Sequence, residues 1–242
     1  MQCKRHRGSD GVEFDVGPCV PCVETETLRV AQAAAAHFRY TQEQAGVPRR
    51  YWRATLDGLI TATAAQHEMK TIAEQFIATD GHKPSNLILI GPLGGGKTFL
   101  ACAMGNAFLA KNKSVRYFTV AALSRYVRST WSKREQSEEK AFKALVNAHL
   151  VIIDEVGALY GTSVELGVLV NLIDARYGNG RPTILLGNIT IDELVQCLGE
   201  KTLDRLKQGG RVLVFDWPSR RPQFAGDEFK EEPIYQPEIL HT

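Results

Sequence analysis

A glycine-rich segment placed between two apolar runs is the feature that most constrains how this chain folds. Residues 91–98 match the phosphate-binding pattern G-x-x-x-x-G-K-T, and four consecutive apolar residues precede them at 87–90. The first apolar run predicts a buried parallel strand that ends in a turn, and the apolar residues after Lys97 predict a helix. Glycines allow successive backbone N–H groups to surround phosphate oxygens, and the helix N-terminus adds its positive end. The segment therefore predicts a nucleotide site.

Individual residues of this loop have predictable roles. Lys97 is expected to reach the β- and γ-phosphates of ATP, and the Thr98 hydroxyl is expected to bind Mg²⁺. A dinucleotide fingerprint does not fit, because Leu93 and Phe99 stand where glycines are required. The other predicted nucleotide-binding residues are Gly91, Pro92, Leu93, Gly94, Gly95, Gly96, Phe99 and Asp154.

A second apolar run, Leu150–Ile153, ends in two adjacent carboxylates. Asp154 is predicted to hold Mg²⁺ opposite Thr98, and Glu155 to orient and deprotonate an attacking water. A kinase passes the phosphoryl group to a bound substrate and needs no second carboxylate for water. The Asp-Glu pair therefore favours an ATPase.

The alternation of element types predicts an α/β fold, with a mostly parallel sheet between helices. Ligands of such sheets bind beyond the carboxyl ends of the strands, where the glycine-rich loop and the Asp-Glu pair fall. We expect an N-terminal region at 1–50, a nucleotide-binding domain at 51–220 and a flexible tail at 221–242. The predicted strands are Asn86–Ile90, Ser114–Val120, Leu150–Ile153, Thr183–Leu186 and Arg211–Phe215.

Composition excludes several classes of protein. The 242 residues are 44% hydrophobic, enough to bury a core, and the net charge of +2 is too small to identify a nucleic-acid binder by itself. No stretch approaches the length of a membrane span, so no membrane partner is expected. Five cysteines in a nucleotide-binding chain favour reduced thiols or a metal over disulfides, and the predicted compartment is the cytoplasm.

Three of the five cysteines lie within the first 23 residues. Cys3-x-x-His6 and Cys19-x-x-Cys22 form two close pairs with the spacing of a Zn²⁺ site. A segment this short buries too little apolar surface to fold unaided, which favours a small zinc knuckle. The alternative is a basic tail with ordinary thiols, in which His6 is simply solvated.

Two polar residues near the end of the domain have two interpretations each. Asn188 follows a predicted buried strand, where it would contact the γ-phosphate or the lytic water, or else cap the next helix. Arg205 lies in a predicted helix, where it would pair with a local carboxylate such as Asp204 or Glu200, or point at the phosphate of a neighbouring subunit.

Together these segments resemble the bacterial and phage DnaC-type helicase loaders of the AAA+ superfamily. The resemblance covers about residues 47–220, through the glycine-rich loop, Val-Ile-Ile-Asp-Glu-Val-Gly, Leu-Gly-Asn, and Leu-Gly-Glu-Lys-Thr-Leu-Asp-Arg-Leu followed by Phe-Asp-Trp. It implies a P-loop AAA+ core that binds and hydrolyses ATP. It also implies that Asn188 is the sensor-one residue, Arg205 an arginine finger acting in trans, and Arg220 or the adjacent Arg221 the sensor-two arginine.

The same resemblance implies partners. The N-terminal region would bind a replicative hexameric helicase, and the ATPase domains would self-associate. The helical stretch 121–131, with Arg125, Arg128 and nearby Lys133 and Arg134, would grip single-stranded DNA.

Other functions share part of this pattern. An IstB-type ATPase helper of a DNA transposase, which binds duplex DNA, shares every catalytic motif. A nucleotide-gated scaffold without hydrolysis would have no use for Glu155. A small-molecule P-loop kinase offers no natural place for Arg205 and Arg220.

Overall fold

Five strands alternate with helices along the part of the chain that the computed structural model describes, which is residues 20–83, 85–129, 135–157 and 163–219. The strands are β1 (Asn86–Ile90), β2 (Val115–Thr119), β3 (Leu150–Val156), β4 (Thr183–Gly187) and β5 (Arg211–Val214). The α-helices are α1 (Val20–Ala45), α2 (Ala64–Ala78), α3 (Lys97–Ala110), α4 (Val120–Ser129), α5 (Glu135–Asn147), α6 (Ser163–Gly178), α7 (Ile191–Leu198) and α8 (Glu200–Lys207).

The five strands form one sheet in the order β2-β3-β4-β1-β5, and every neighbouring pair is parallel. All residues of β1 and β4 are buried, because helices that connect parallel strands cover the faces of the sheet. This double coverage explains why the strands read as continuous apolar runs in the sequence. The predicted parallel α/β sheet is confirmed.

Four strands begin and end within one residue of the bounds expected from the sequence, and β3 is the exception. It was predicted to end at Ile153, but it continues to Val156. The reason is an irregularity in its pairing with β4, where Ile153 pairs with Leu185 and Val156 pairs with Gly187. One extra residue on β3 is accommodated there as a bulge, so pairing resumes beyond the point where the apolar run stops.

The strand order brings three chain segments to one edge of the sheet. β4 lies between β1 and β3, so the segments that follow these strands meet at their carboxyl ends. The glycine-rich loop follows β1, and Asn188 follows β4. Asp154 and Glu155 lie in the last residues of β3.

A fully buried arginine connects α5, α6 and β4 at the opposite, amino edge of the sheet. Arg176 on α6 donates from Nε to Thr183 Oγ1 at 3.0 Å, and its terminal nitrogens donate to backbone carbonyls. Burial lowers the pKa of the guanidinium to about 9, which leaves it charged at neutral pH. It joins the end of α5 to the start of β4, since the accepting carbonyls belong to Leu145, Val146, Ala148 and Pro182.

The described residues divide into two compact units between Tyr40 and Thr41. The unit that holds the sheet therefore includes the last turn of α1, which was assigned from sequence to an N-terminal region ending at residue 50. Buried Gln42 explains this, because its side-chain amide donates to Asn106 Oδ1 and to the Trp52 carbonyl, each at 2.8 Å. Among the described residues no helix has the length and apolar character to cross a membrane.

Candidate active site

The glycine-rich loop connects β1 to α3, which begins at Lys97 as expected from the sequence. Gly91, Gly94 and Gly96 all have positive φ, at 130°, 81° and 98°. Gly91 is also needed for space, because a Cβ there would collide with the Phe215 carbonyl oxygen. Glycine is therefore required by the backbone conformation of the turn and, at Gly91, also by the close packing of another segment.

That segment is Phe215–Ser219, which follows β5 and which we call the clamp segment. The Phe215 N–H donates to the Ile90 carbonyl at 2.8 Å, and the Trp217 indole N–H donates to the Gly95 carbonyl at 2.9 Å. The two aromatic rings lie 4.9 Å apart between centroids. From sequence, Trp217 carried only the family resemblance, and its contact with the loop was not expected.

The Trp217 bond fixes the orientation of one loop peptide. In a planar trans peptide the carbonyl and the following N–H point in opposite directions. With the Gly95 carbonyl held by Trp217, the Gly96 N–H points away from the indole. An anion-binding loop requires N–H groups in a set orientation, so the clamp segment preorganises the loop.

Lys97 lies inside the loop that it was predicted to serve. Its side chain is buried, and Nζ donates to the carbonyls of Gly91 at 2.8 Å and Pro92 at 2.7 Å. A buried cation beside oriented backbone N–H groups is suited to bind phosphate. Leu93 is exposed at the tip of the loop, and Phe99 packs near Gly58.

The two predicted magnesium ligands are in direct contact. Thr98 Oγ1 donates to Asp154 Oδ2 at 2.9 Å. The hydroxyl and carboxylate oxygens are the hard donors that Mg²⁺ prefers, and Mg²⁺ in nucleotide sites takes most of its remaining ligands from phosphates and water. The described residues contain no group of three or more His, Cys, Asp or Glu positioned for a metal.

A third oxygen joins this pair from β2. The Tyr117 hydroxyl donates to Asp154 Oδ2 at 2.7 Å. Burial, followed by the charge of Asp154, raises the pKa of the Tyr117 phenol, so it stays protonated and acts as a donor. Cys102 lies close by, and burial raises the pKa of its thiol as well, which keeps it neutral. Tyr117 was not predicted, because a tyrosine in an apolar strand reads as a core residue.

Glu155 lies in the bulge of β3 with a φ of 60°, a left-handed conformation that is rare for residues other than glycine. Its N–H donates to Asp154 Oδ1 at 2.7 Å. Gly187 on β4 accommodates the bulge, because a Cβ there would lie 2.6 Å from the Val156 carbonyl oxygen. The side chain of Glu155 is exposed, whereas Asp154 is half-buried against Thr98. The bulge thus separates the two carboxylates into different environments.

Asn188 is exposed immediately after β4, between the ends of β3 and β1. The alternative role of Asn188 as a helix cap is wrong. α7 is capped by Thr190, whose side chain accepts from Glu193 N while the Glu193 side chain accepts from Thr190 N. Asn188 therefore lies exposed at the carboxyl edge of the sheet and does not cap α7.

Arg205 on α8 forms an ion pair with Asp174 of α6, and its guanidinium lies 5.7 Å from the ring centroid of Tyr177. The hydrogen bond to Asp174 raises the pKa of the guanidinium. The expected local partners, Asp204 and Glu200, are wrong, because the partner comes from a different helix. The arginine is partly exposed, with 27% of its side chain accessible.

Several predicted site residues lie outside the described residues. Cys22 is within the first turn of α1, so the backbone there is helical, whereas a knuckle loop was expected. The remaining candidates, which the structure does not describe, are Cys3, His6, Cys19, Lys133, Arg134, Arg220 and Arg221.

Known proteins resemble this chain in sequence and in fold. The family of IstB-like ATP-binding proteins matches residues 32–220. This chain belongs to that family. Within the family's range fall the glycine-rich loop, the Asp-Glu pair and Arg205.

Two relatives of this IstB-like protein carry the name replicative helicase loader DnaC. The chain is 32% identical to the one from Escherichia coli (strain K12) over 158 residues, which are 65% of this chain and 64% of that protein. It is 33% identical to the one from Buchnera aphidicola subsp. Baizongia pistaciae over 166 residues, which are 67% and 68% of the two chains. The match thus spans about two thirds of the length of these curated relatives.

The fold also resembles that of a solved structure. A crystal structure of the DnaC helicase loader superposes with a TM-score of 0.62 at 22% identity, covering 70% of this chain and 100% of that chain. At that identity the likeness concerns the fold. The predicted α/β fold is therefore confirmed, and membership of an ATP-binding family implies a nucleotide with Mg²⁺.

Replacing Trp217 with Phe should weaken nucleotide binding. The variant keeps an aromatic ring beside Phe215 but loses the donor to the Gly95 carbonyl. A hydrogen bond of this kind contributes about 1 kcal/mol, so the Kd for a fluorescent ATP analogue should rise about fivefold. Fluorescence titration of the nucleotide measures this.

Trp52→Phe is the matched control, because its indole N–H donates at the same 2.9 Å to the Val47 carbonyl, which does not belong to the loop. Its nucleotide Kd should stay at the parental value. Equal weakening in both variants would contradict a specific role for the clamp segment.

Proposed function

We propose that this chain is an ATPase that loads a replicative hexameric helicase onto single-stranded DNA. The observation that carries the proposal is the identity of about a third, over about two thirds of the chain, with proteins named replicative helicase loaders. The nucleotide chemistry, the DNA contact, the self-association and the helicase contact are separate parts of the proposal. Each is supported by different residues.

The nucleotide chemistry uses the residues at the carboxyl edge. Lys97 and the loop N–H groups bind the phosphates, while Thr98 and Asp154 would hold Mg²⁺, which supplies charge neutralisation on the phosphates when bound. Glu155 accepts a proton from the attacking water, and Asn188 orients that water or the γ-phosphate. The exposed position of Glu155 supports this role, since a base must reach solvent-derived water.

Arg205 would act on the nucleotide of a neighbouring subunit. Its partial exposure supports this, and its ion pair with Asp174 is the contact that it would leave or share on assembly. An arginine supplied in trans neutralises charge that develops on the transferred phosphoryl group. Hydrolysis should then depend on self-association of the ATPase domains. Arg220 or Arg221 would act as the sensor-two arginine in this assembly.

Mixing two inactive variants tests this arrangement. Lys97→Ala removes the phosphate-binding cation, and Arg205→Ala removes the finger, so each chain keeps what the other lacks. The mixture should regain ATP hydrolysis on single-stranded DNA, measured as steady-state phosphate release, whereas each variant alone should be inactive. A finger in trans is worth about 10³–10⁵ in turnover in well-studied phosphoryl-transfer systems.

Three controls sharpen the experiment. A Lys97→Ala/Arg205→Ala double variant should rescue nothing, because it carries no finger. A Glu155→Gln/Arg205→Ala variant should bind ATP yet resist rescue, because it lacks the base. Asp174→Asn, which removes the partner of Arg205 seen here, should keep activity. Activity lost equally in Asp174→Asn and Arg205→Ala would instead indicate a structural role within one chain.

The exposed face of α4 supports contact with single-stranded DNA. Arg125, Tyr126 and Arg128 are all exposed there, while Val127 is buried against the core. The Tyr126 ring packs 5.3 Å from that of Phe118, and the residue remains 36% exposed. Arginines and an aromatic ring on one face suit a single strand, whose phosphates pair with arginine and whose bases stack on aromatic rings.

Replacing both Arg125 and Arg128 with Ala should weaken binding to single-stranded DNA and reduce its dependence on salt. Each phosphate contact on a single strand contributes roughly 0.7 to the slope of log K against log salt, so the slope should fall by about 1.4. Fluorescence anisotropy of a labelled oligonucleotide with ATP, at several salt concentrations, measures this. Association with the replicative helicase of the same genome, followed by gel filtration, should not change.

Lys83→Ala with Lys113→Ala is a control of equal charge, because these residues precede β1 and β2 at the opposite edge of the sheet. It should leave the salt slope at the parental value. Tighter ATP-dependent binding to duplex than to single strand, without a helicase complex, would support the IstB-type transposase helper instead.

The N-terminal region would carry the helicase contact, and α1 presents exposed apolar side chains that suit a protein partner. Leu28 is 62% and Val30 58% exposed, and Tyr40 is 58% exposed. The truncation that tests this contact should end at residue 40, because Gln42 is buried in the unit that holds the sheet. The truncated chain should bind ATP but lose the helicase.

One Zn²⁺ per chain is expected from Cys3, His6, Cys19 and Cys22. Elemental analysis of purified protein should find about one zinc, and Cys19→Ser should lose it while keeping ATP binding. Well under one zinc with freely titratable thiols would leave the region as a basic tail.

A further inference from the structure

Tyr117 reaches the magnesium ligands from a neighbouring strand. In the register of β2 and β3, Thr119 pairs with Asp154, and Tyr117 lies two residues earlier on the same face. Its side chain is only 9% exposed, and its hydroxyl donates to Asp154 Oδ2 at 2.7 Å. A buried hydroxyl in a strand requires a partner, and here that partner is a carboxylate of the site.

We propose that Tyr117 is a positioning residue that sets the orientation of the Asp154 carboxylate toward Mg²⁺. This inference rests on the proposed ATPase function and adds a residue to its site. Tyr117 does not itself touch the nucleotide or the metal. It acts through Asp154, in the way that outer hydrogen bonds hold the ligands of metal sites.

The hydrogen bonds of Asp154 define its orientation. Oδ2 accepts from both Thr98 Oγ1 and the Tyr117 hydroxyl, and Oδ1 accepts from the Glu155 N–H. Thr98 commits its single proton to Asp154, so the lone pairs of its oxygen remain for Mg²⁺. Without Tyr117, one of the two donors that hold Oδ2 is lost, and the carboxylate can rotate about its terminal torsion, which has a broad energy profile.

A neutral donor suits this position better than a cation. A lysine or arginine beside Asp154 would offset the negative charge that attracts the metal, whereas a phenol orients the carboxylate and leaves its charge intact. The backbone of Tyr117 is also held in place. It pairs with Ile152 on one side, and a Cβ on Gly46 would lie 2.7 Å from its carbonyl oxygen on the other. The hydroxyl is therefore presented from a rigid support.

Tyr117→Phe tests the role, because it keeps the ring and removes only the donor. We expect the Mg²⁺ concentration at half-saturation to rise about fivefold, which corresponds to one hydrogen bond of about 1 kcal/mol. The measurement is equilibrium binding of a fluorescent ATP analogue at fixed concentration, titrated with Mg²⁺. Binding of the same analogue in EDTA should match the parent, since the loop and Lys97 are untouched.

Tyr177→Phe is the matched control, because the Tyr177 hydroxyl donates to Gln208. These two residues precede β4 and β5, at the edge of the sheet opposite Asp154. The Mg²⁺ midpoint of this variant should equal that of the parent. In an Asp154→Asn background, Tyr117→Phe should cause no further change, because its effect passes through the carboxylate. A loss of packing would instead raise the Mg²⁺ midpoint further in this background. The double variant therefore distinguishes positioning from packing.

Two outcomes would overturn the inference. An unchanged Mg²⁺ midpoint in Tyr117→Phe would show that Asp154 is oriented without the tyrosine. Equal weakening with Mg²⁺ and in EDTA would assign Tyr117 to the core instead. Failure of the parent chain to bind any nucleotide is a different result, because it would overturn the proposed ATPase function itself.

Discussion

The parallel pairing of β4 with β1 on one side and β3 on the other is the constraint on which the rest of this protein depends. It brings the phosphate loop, the Asp-Glu pair and Asn188 to one edge, although they are far apart in the sequence. The helices that connect the parallel strands cover both faces of the sheet. Strand residues are therefore buried on both faces, which requires them to be apolar. At the opposite, amino edge of the sheet, Arg176 donates hydrogen bonds to backbone carbonyls at the end of α5 and just before β4.

Two parts of the chain then shape the site at that edge. The clamp segment Phe215–Ser219 packs on the glycine-rich loop, so two of its contacts restrict the loop before any nucleotide is bound. The bulge in β3 separates the environments of Asp154 and Glu155. A metal ligand must be held still, whereas a base must reach water, so the bulge would suit the roles proposed for these two consecutive residues.

Arg205 has a partner within the chain and a proposed role toward a neighbouring subunit. Within one chain it pairs with Asp174 beside the ring of Tyr177. A partly exposed ion pair of this kind contributes little to stability. The guanidinium is therefore available for a stronger interaction when a subunit with bound nucleotide approaches, which is consistent with the proposed role in trans.

The sequence by itself determined the fold class, the position of β1 and the residues of the phosphate loop, because these depend on local patterns of apolar residues and glycines. It also placed Asp154 and Asn188 near the carboxyl ends of their strands. Only the tertiary structure decided which distant residues complete the site. The Tyr117 hydroxyl, the Trp217 indole and the Asp174 carboxylate meet their partners across 37, 122 and 31 positions. No local pattern marks such contacts, since they arise from strand order, register and helix packing.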